Sequence, residues 1–459
     1  MRVKGKNFYS IVAVVFILVV YSWHITNVHP YSKPTSVIAW DVRSYYAYLP
    51  ATFIEKDYKL HFTYKYSNEE EWMYWPETAP NGGLVIKTSM GLSILYAPFF
   101  FIANHFAGKM GYATDGFSTP YAFALIFSCV FYLFIGFLFL RTVLLKYFND
   151  KIVAATLLII GLATNLFAYA TVNAPMPHGY NFALFCVFLY LMEKWQDTQG
   201  WRTSIFLGII IGFITLIRPT NALILILFLF FNISNLKDIS TRFQLFMKNY
   251  MKIIVMIICV LLVWLPQLLY WKSVTGECLY YSYGGERFFF NSPKILQVLF
   301  GFRKGWFIYT PAMLFAVIGI GMLWKTNRKY FLPILLFFVF NLYIVSSWWC
   351  WWYGGGFGMR PLVESYAILA IPLAAFLAWL IKQKLPTRIS LCIVVVAIAS
   401  QSIFHNVQYY YKAIHYDSMT KEAYFDSFWR VKPSEKFESL LIDPDYESAR
   451  EGKKKEVSK

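Results

Sequence analysis

The sequence predicts an all-α polytopic membrane protein, with about eleven transmembrane helices and a long first extracytoplasmic loop carrying interfacial helices. Three observations predict it. Apolar runs of the ~17–25 residues that cross a bilayer recur along most of the 459 residues. Charged residues make up 15% of the chain, against about 25% in a soluble globular protein. The lysines and arginines gather mostly in short clusters between apolar runs, where such clusters set topology. That placement accounts for the net charge of +17, and no nucleic-acid partner is expected.

The first span follows Arg2, Lys4 and Lys6 and runs to about Val28. Tyr21, Trp23 and His24 are too bulky for a signal-peptidase site, so the span is read as uncleaved, with a cytoplasmic N-terminus. The first outer loop, 29–117, holds the stretch Trp40–Pro50, the acidic turn Glu69-Glu70-Glu71-Trp72 and the segment Asn81–Lys87. Within it, 90–106 is apolar but interrupted by Pro98, Asn104 and His105. Were it to span, the loop with Arg141, Lys146 and Lys151 would face outward; the positive-inside rule therefore makes it interfacial or re-entrant.

The remaining spans are expected near 118–140, 152–170, 178–192, 203–217, 220–235, 251–271, 306–324, 331–346, 365–381 and 389–406. Arg218-Pro219-Thr220 separates two short ones as a tight outer turn or a broken helix. The transmembrane domain covers 1–408, with outer substrate loops at 272–305 and 347–364. A charged tail, 409–459, falls outside and ends in a solvated Lys453-Lys454-Lys455 run. Of six cysteines, Cys278 and Cys350 share the outer face, where two free thiols are expected in preference to a disulfide.

An apolar scaffold with one decorated face points to a membrane enzyme with its site at the outer interface. Asp41 is the first candidate, because an interfacial carboxylate needs a partner or a job. A loop salt bridge with Arg43 is the plain alternative. Tyr45 and Tyr46 suit either a sugar-stacking wall or an interfacial belt. Arg303-Lys304-Gly305 suits a phosphate at headgroup level, against anionic-lipid anchoring. Trp348–Pro361, rich in Trp and Gly and containing Trp352 and Tyr353, reads as a substrate loop that aims Arg360 at phosphate, against a packed structural corner. Lys87, His178 and Arg218 are further substrate-contact candidates, with His178 and Arg218 equally suited to local structural bonds. No His, Cys, Asp or Glu group has metal-ligand spacing, so no cofactor is assigned and a divalent metal stays open without support from ligand spacing.

The Asp41 stretch with Tyr45-Tyr46-Ala47-Tyr48-Leu49, the Arg218-Pro219-Thr220 turn, Arg303-Lys304-Gly305-Trp306-Phe307-Ile308-Tyr309-Thr310-Pro311 and the loop ending Phe357-Gly358-Met359-Arg360 occur in an order that is similar to a known one. Over roughly residues 1–410 the chain resembles the integral-membrane C-type glycosyltransferases, in the branch of protein O-mannosyltransferases and lipid A aminoarabinose transferases. The resemblance implies a polyprenyl-phosphate sugar donor, an acceptor glycolipid, glycan or protein, inversion at the anomeric carbon, and Asp41 as the catalytic position. It implies a bacterial inner membrane and an extracytoplasmic site. Relatives often carry an acid in the second outer loop, where Ala170–Tyr180 has none and offers His178. A flippase of lipid-linked sugars would need charges deep in its spans, which are nearly free of them. A non-catalytic glycan-binding protein would tolerate loss of Asp41.

Overall fold

The computed structural model describes residues 7–29, 37–65, 74 and 76–452. The turn Glu69–Trp72 and the run Lys453–Lys455 lie outside them. The chain is almost entirely helical: α1 (Phe8–Val28), α2 (Asp41–Tyr46), α3 (Tyr48–Phe53), α4 (Gly91–Ala107), α5 (Thr119–Leu145), α6 (Asp150–Leu162), α7 (Leu166–Ala170), α8 (Pro177–Thr198) and α9 (Trp201–Ile217) come first. They are followed by α10 (Leu225–Phe230), α11 (Leu236–Lys248), α12 (Tyr250–Thr275), α13 (Ile295–Phe300), α14 (Trp306–Tyr309), α15 (Leu314–Thr326), α16 (Arg328–Ser347), α17 (Tyr366–Leu380), α18 (Leu385–Tyr410), α19 (Lys421–Asp426) and α20 (Tyr446–Glu451). One small antiparallel hairpin, β1 (Pro76–Thr78) with β2 (Leu84–Ile86), braces the first loop.

The main helix pairs are α1 with α6, α5 with α8, α9 with α12, and α15 with α17. Small residues let backbones approach closely, the usual device where lipid supplies no hydrophobic drive between helices. A methyl on Gly319 would stand 2.0 Å from the Pro372 carbonyl, so α15 and α17 meet at bare backbone. Helix α8 starts with Pro177, whose missing N–H costs nothing there, and is buried along most of its length.

Among the described residues, six helices are long and apolar enough to cross a membrane: Phe8–Val28, Gly91–Met110, Thr119–Leu145, Tyr250–Thr275, Arg328–Ser347 and Leu385–Tyr410. The eleven spans expected from the sequence are therefore not shown by these helices. Four further apolar helices are shorter, and Gly91–Met110, read as interfacial, is among the six. Two expected spans are broken. The stretch 152–170 divides into α6 and α7 because Thr164 and Asn165 are buried with bonds outside the helix: Asn165 Nδ2 donates to Phe357 O at 3.2 Å, its Oδ1 accepts from Tyr366 Oη at 2.6 Å, and Asn406 Nδ2 donates to Thr164 O at 3.1 Å. The stretch 306–324 divides into α14 and α15 at Thr310-Pro311, where proline cannot continue the ladder. Both breaks lie against the loop that follows α16.

Candidate active site

Trp40 delivers Asp41 to its place. It adopts φ +49°, a left-handed conformation unusual for a bulky side chain, and so turns the chain sharply into α2 with Asp41 in the first turn. Tyr48 Oη donates to Thr88 O at 2.7 Å, and the hydroxyls of Ser44 and Thr88 meet at 3.0 Å, which fastens α2 and α3 to the strand after Asn81. The Trp- and Gly-rich loop after α16 closes over this from the other side. Tyr169 Oη holds it, accepting from Phe357 N at 3.0 Å and donating to Phe357 O at 3.1 Å. Gly356 has φ +146°, and a methyl there would lie 2.7 Å from Tyr169 Oη, so only glycine fits.

Between these walls lies a cavity of about 500 Å³. Asp41, Tyr45, Lys87, His178, Arg218, Tyr353 and Arg360 all line it, although they come from five separate parts of the chain. Three of its cations, Arg360, Lys87 and Arg218, are each paired with a carboxylate. Arg360 Nη1 donates to Asp41 Oδ2 at 2.9 Å, with 17% of the Arg360 side chain and 41% of Asp41 exposed. The Asp41 carboxylate raises the Arg360 pKa against the lowering effect of burial. Lys87 Nζ donates to Glu286 Oε1 at 2.7 Å and lies 5.6 Å from the centre of the Tyr283 ring. Arg218 Nη1 donates to Glu364 Oε1 at 3.0 Å, and His178 Nδ1 stands 3.1 Å from the same oxygen. Burial alone would raise the Glu364 pKa, but His178 and Arg218 prevail and hold it below the ordinary carboxyl value.

Five of the expected site residues do not line this cavity. Arg303 does not line the cavity: its guanidinium donates to Asp417 O at 2.8 Å and Ile442 O at 3.0 Å, in the C-terminal segment. Lys304 is buried, with its ammonium bonded to the carbonyls of Gly356 and Tyr416. Trp352 turns away from the cavity and packs on Tyr446, ring centres 5.4 Å apart. Tyr46 is buried among Tyr96, Phe100 and Phe117 and donates to Gly116 O at 2.5 Å. Arg43 donates through Nε to Ile38 O at 2.9 Å, bracing its own loop. The alternative of an Asp41–Arg43 salt bridge gives way to Asp41–Arg360.

Sequence reasoning missed Glu364, Glu286, Tyr283 and Arg450, of which the last three line the cavity and Glu364 lies directly behind it. Glu364 had a signal: a carboxylate at the mouth of an apolar span, four residues after Arg360. Cys278 and Cys350 are free, one exposed and one buried. Among the described residues, no three His, Cys, Asp or Glu side chains gather as a metal site.

No family model and no curated protein matches this sequence. Solved structures of the Archaeoglobus fulgidus oligosaccharyltransferase do match by shape. The apo form aligns with a TM-score of 0.50 and 14% identity, covering 96% of this chain and 60% of that one. The same protein tethered through a disulfide to an acceptor peptide containing the NVT sequon aligns with a TM-score of 0.50, 14% identity, and 96% and 60% coverage. The chain thus spans 60% of the length of that oligosaccharyltransferase, and the likeness is one of fold.

Proposed function

We propose that the protein is an inverting glycosyltransferase that moves a sugar from a polyprenyl-phosphate donor to an acceptor at the extracytoplasmic face of a bacterial inner membrane. The observation that carries this reading is the Asp41–Arg360 pair inside a cavity that also holds Arg218 and Lys87. The resemblance of the sequence motifs and the fold likeness support it.

A sugar bound to a lipid phosphate already has a good leaving group. The reaction therefore asks little of a general acid and much of cations near the departing phosphate, where negative charge develops. Arg360 and Arg218 take that role here, in place of Arg303 and Lys304. Before the donor arrives, Arg360 is neutralised by Asp41. A phosphate competing for the guanidinium frees the Asp41 carboxylate at the same moment, so donor binding arms the base. The acceptor hydroxyl oxygen then attacks the anomeric carbon while the bond from that carbon to the phosphate oxygen breaks. Its electron pair leaves with the polyprenyl phosphate, and the hydroxyl proton passes to Asp41. A carboxylate is a weak base towards an alcohol, so this transfer accompanies bond formation rather than preceding it. Where the acceptor group is itself a phosphate, Asp41 only orients it.

Asp41→Asn tests the reading. Turnover is expected to fall by about 10²–10⁴-fold, with donor affinity kept or improved because Arg360 loses its competitor. Because 41% of the Asp41 side chain is exposed, stability should change by no more than about 1 kcal/mol. Wild-type turnover in this variant would sink the assignment.

A further inference from the structure

The residues expected to grip phosphate grip the C-terminus of the chain instead. After α18 the chain returns to the edge of the cavity as a strap, 411–452. Arg303 bonds two of its carbonyls, Asp417 O at 2.8 Å and Ile442 O at 3.0 Å. Lys304 bonds Tyr416 O of the strap and Gly356 O of the Trp-rich loop, and Gly356 N donates to Tyr416 O at 3.0 Å. The strap is also tied to itself: Ile442 N donates to Ser418 O at 3.0 Å, and Tyr446 Oη donates to Asp417 Oδ2 at 2.7 Å. Its last helix, α20, puts Tyr446 and Arg450 into the cavity lining, where the Arg450 guanidinium lies 5.3 Å from the centre of the Trp349 ring. Gly452 meets Phe289 so closely that a methyl would stand 2.6 Å from that ring.

The strap adds one further cation, Arg450, to the cavity lining. Of the lining cations, Arg360, Arg218 and Lys87 are each paired with a carboxylate. Arg450 has no ion pair among the described residues and is exposed at the rim. Beneath the strap, Cys350 lines the same cavity and is 3% exposed.

We propose that the strap 411–452 is the aqueous wall and gate of the cavity, clasped shut by Arg303 and Lys304, and that Arg450 makes the gate favour anionic, water-borne molecules. This names the acceptor as an anionic polar molecule; only that word rests on the glycosyltransferase reading. The gate itself is measured without turnover, so it can fail while Asp41→Asn succeeds, or stand while Asp41→Asn fails.

The test reads access to Cys350 in the full chain with the exposed Cys278 and Cys392 replaced by serine. The probes are an anionic methanethiosulfonate (ethylsulfonate) and a cationic one (ethyltrimethylammonium), with the labelled peptide identified by mass. Burial pushes the Cys350 thiol up to about 12, which slows both reagents alike and cancels from the ratio of their rates. Arg303→Ala with Lys304→Met is expected to speed both reagents by about tenfold or more. Tyr446→Phe, which leaves the clasp residues in place, should speed them less. Arg450→Glu should lower the anionic-to-cationic rate ratio by about tenfold without opening the clasp. Should the clasp variant fail to fold, Tyr446→Phe and Arg450→Glu carry the test. Labelling of the parent as fast as at an exposed thiol, no acceleration in any strap variant, or an unchanged ratio in Arg450→Glu would each overturn the proposal.

Discussion

Replacing Glu364 by glutamine is expected to destabilise the protein by about 2–3 kcal/mol while leaving its helices in place. The carboxylate is 2% exposed and takes bonds from Arg218 at 3.0 Å and His178 at 3.1 Å. Removing one partner of a buried ion pair costs about 3–5 kcal/mol when the remaining charge is left uncompensated. Two features bring the expectation to the lower end. Glutamine keeps a carbonyl acceptor for Arg218, and 20% of the Arg218 side chain faces the cavity, where water can reach it. The loss corresponds to about 30–150-fold in the folding equilibrium. Equilibrium unfolding in mixed micelles reads it, with a double-mutant cycle against Arg218→Gln. A coupling energy above about 1.5 kcal/mol is expected, and one below about 0.5 kcal/mol would refute the claim that the two side chains act as a buried pair. The pH dependence supplies an independent sign. Glu364 has a folded pKa below its ordinary value of 4.5, because His178 and Arg218 outweigh burial. Its contribution is therefore complete above that ordinary value and is lost as the pH falls through the folded one. Glu364→Gln should flatten this acid limb; an unchanged limb would assign it to other carboxyls.

Tyr46→Phe should cost about 1 kcal/mol, from the lost bond to Gly116 O, and leave donor and acceptor KM unchanged; a raised KM would return Tyr46 to the substrate site. Gly356→Ala should cost about 1–3 kcal/mol and lower turnover, since a methyl would stand 2.7 Å from Tyr169 Oη and displace the loop carrying Arg360. Melting temperature and turnover that both match wild type would show that the loop tolerates the shift. Arg360→Ala is expected to weaken binding of a polyprenyl-phosphate sugar, measured by isothermal titration, and unchanged affinity would remove Arg360 from the phosphate role.

Composition and local patterning determined a good deal by themselves. The shortage of charge, the apolar runs and the basic clusters between them specify a helical membrane-type chain, because those properties act segment by segment and need no partner. The decorated loops carrying Asp41, His178, Arg218 and Arg360 were legible for the same reason: polar and aromatic residues stand out against an apolar background. Which of those residues face one another was decided only by tertiary structure. Asp41 and Arg360 are 319 positions apart yet bonded, and no local property of either stretch encodes that meeting. Arg303 and Lys304 show the converse. Two cations beside a glycine suit a phosphate in isolation, but the returning C-terminal strap presents carbonyl oxygens to them first. Span lengths were blurred likewise, since Thr164, Asn165 and Thr310 break helices through bonds to distant partners or a following proline set against them. Hydropathy reports what a segment prefers against lipid; it is blind to the buried polar partners that override the preference.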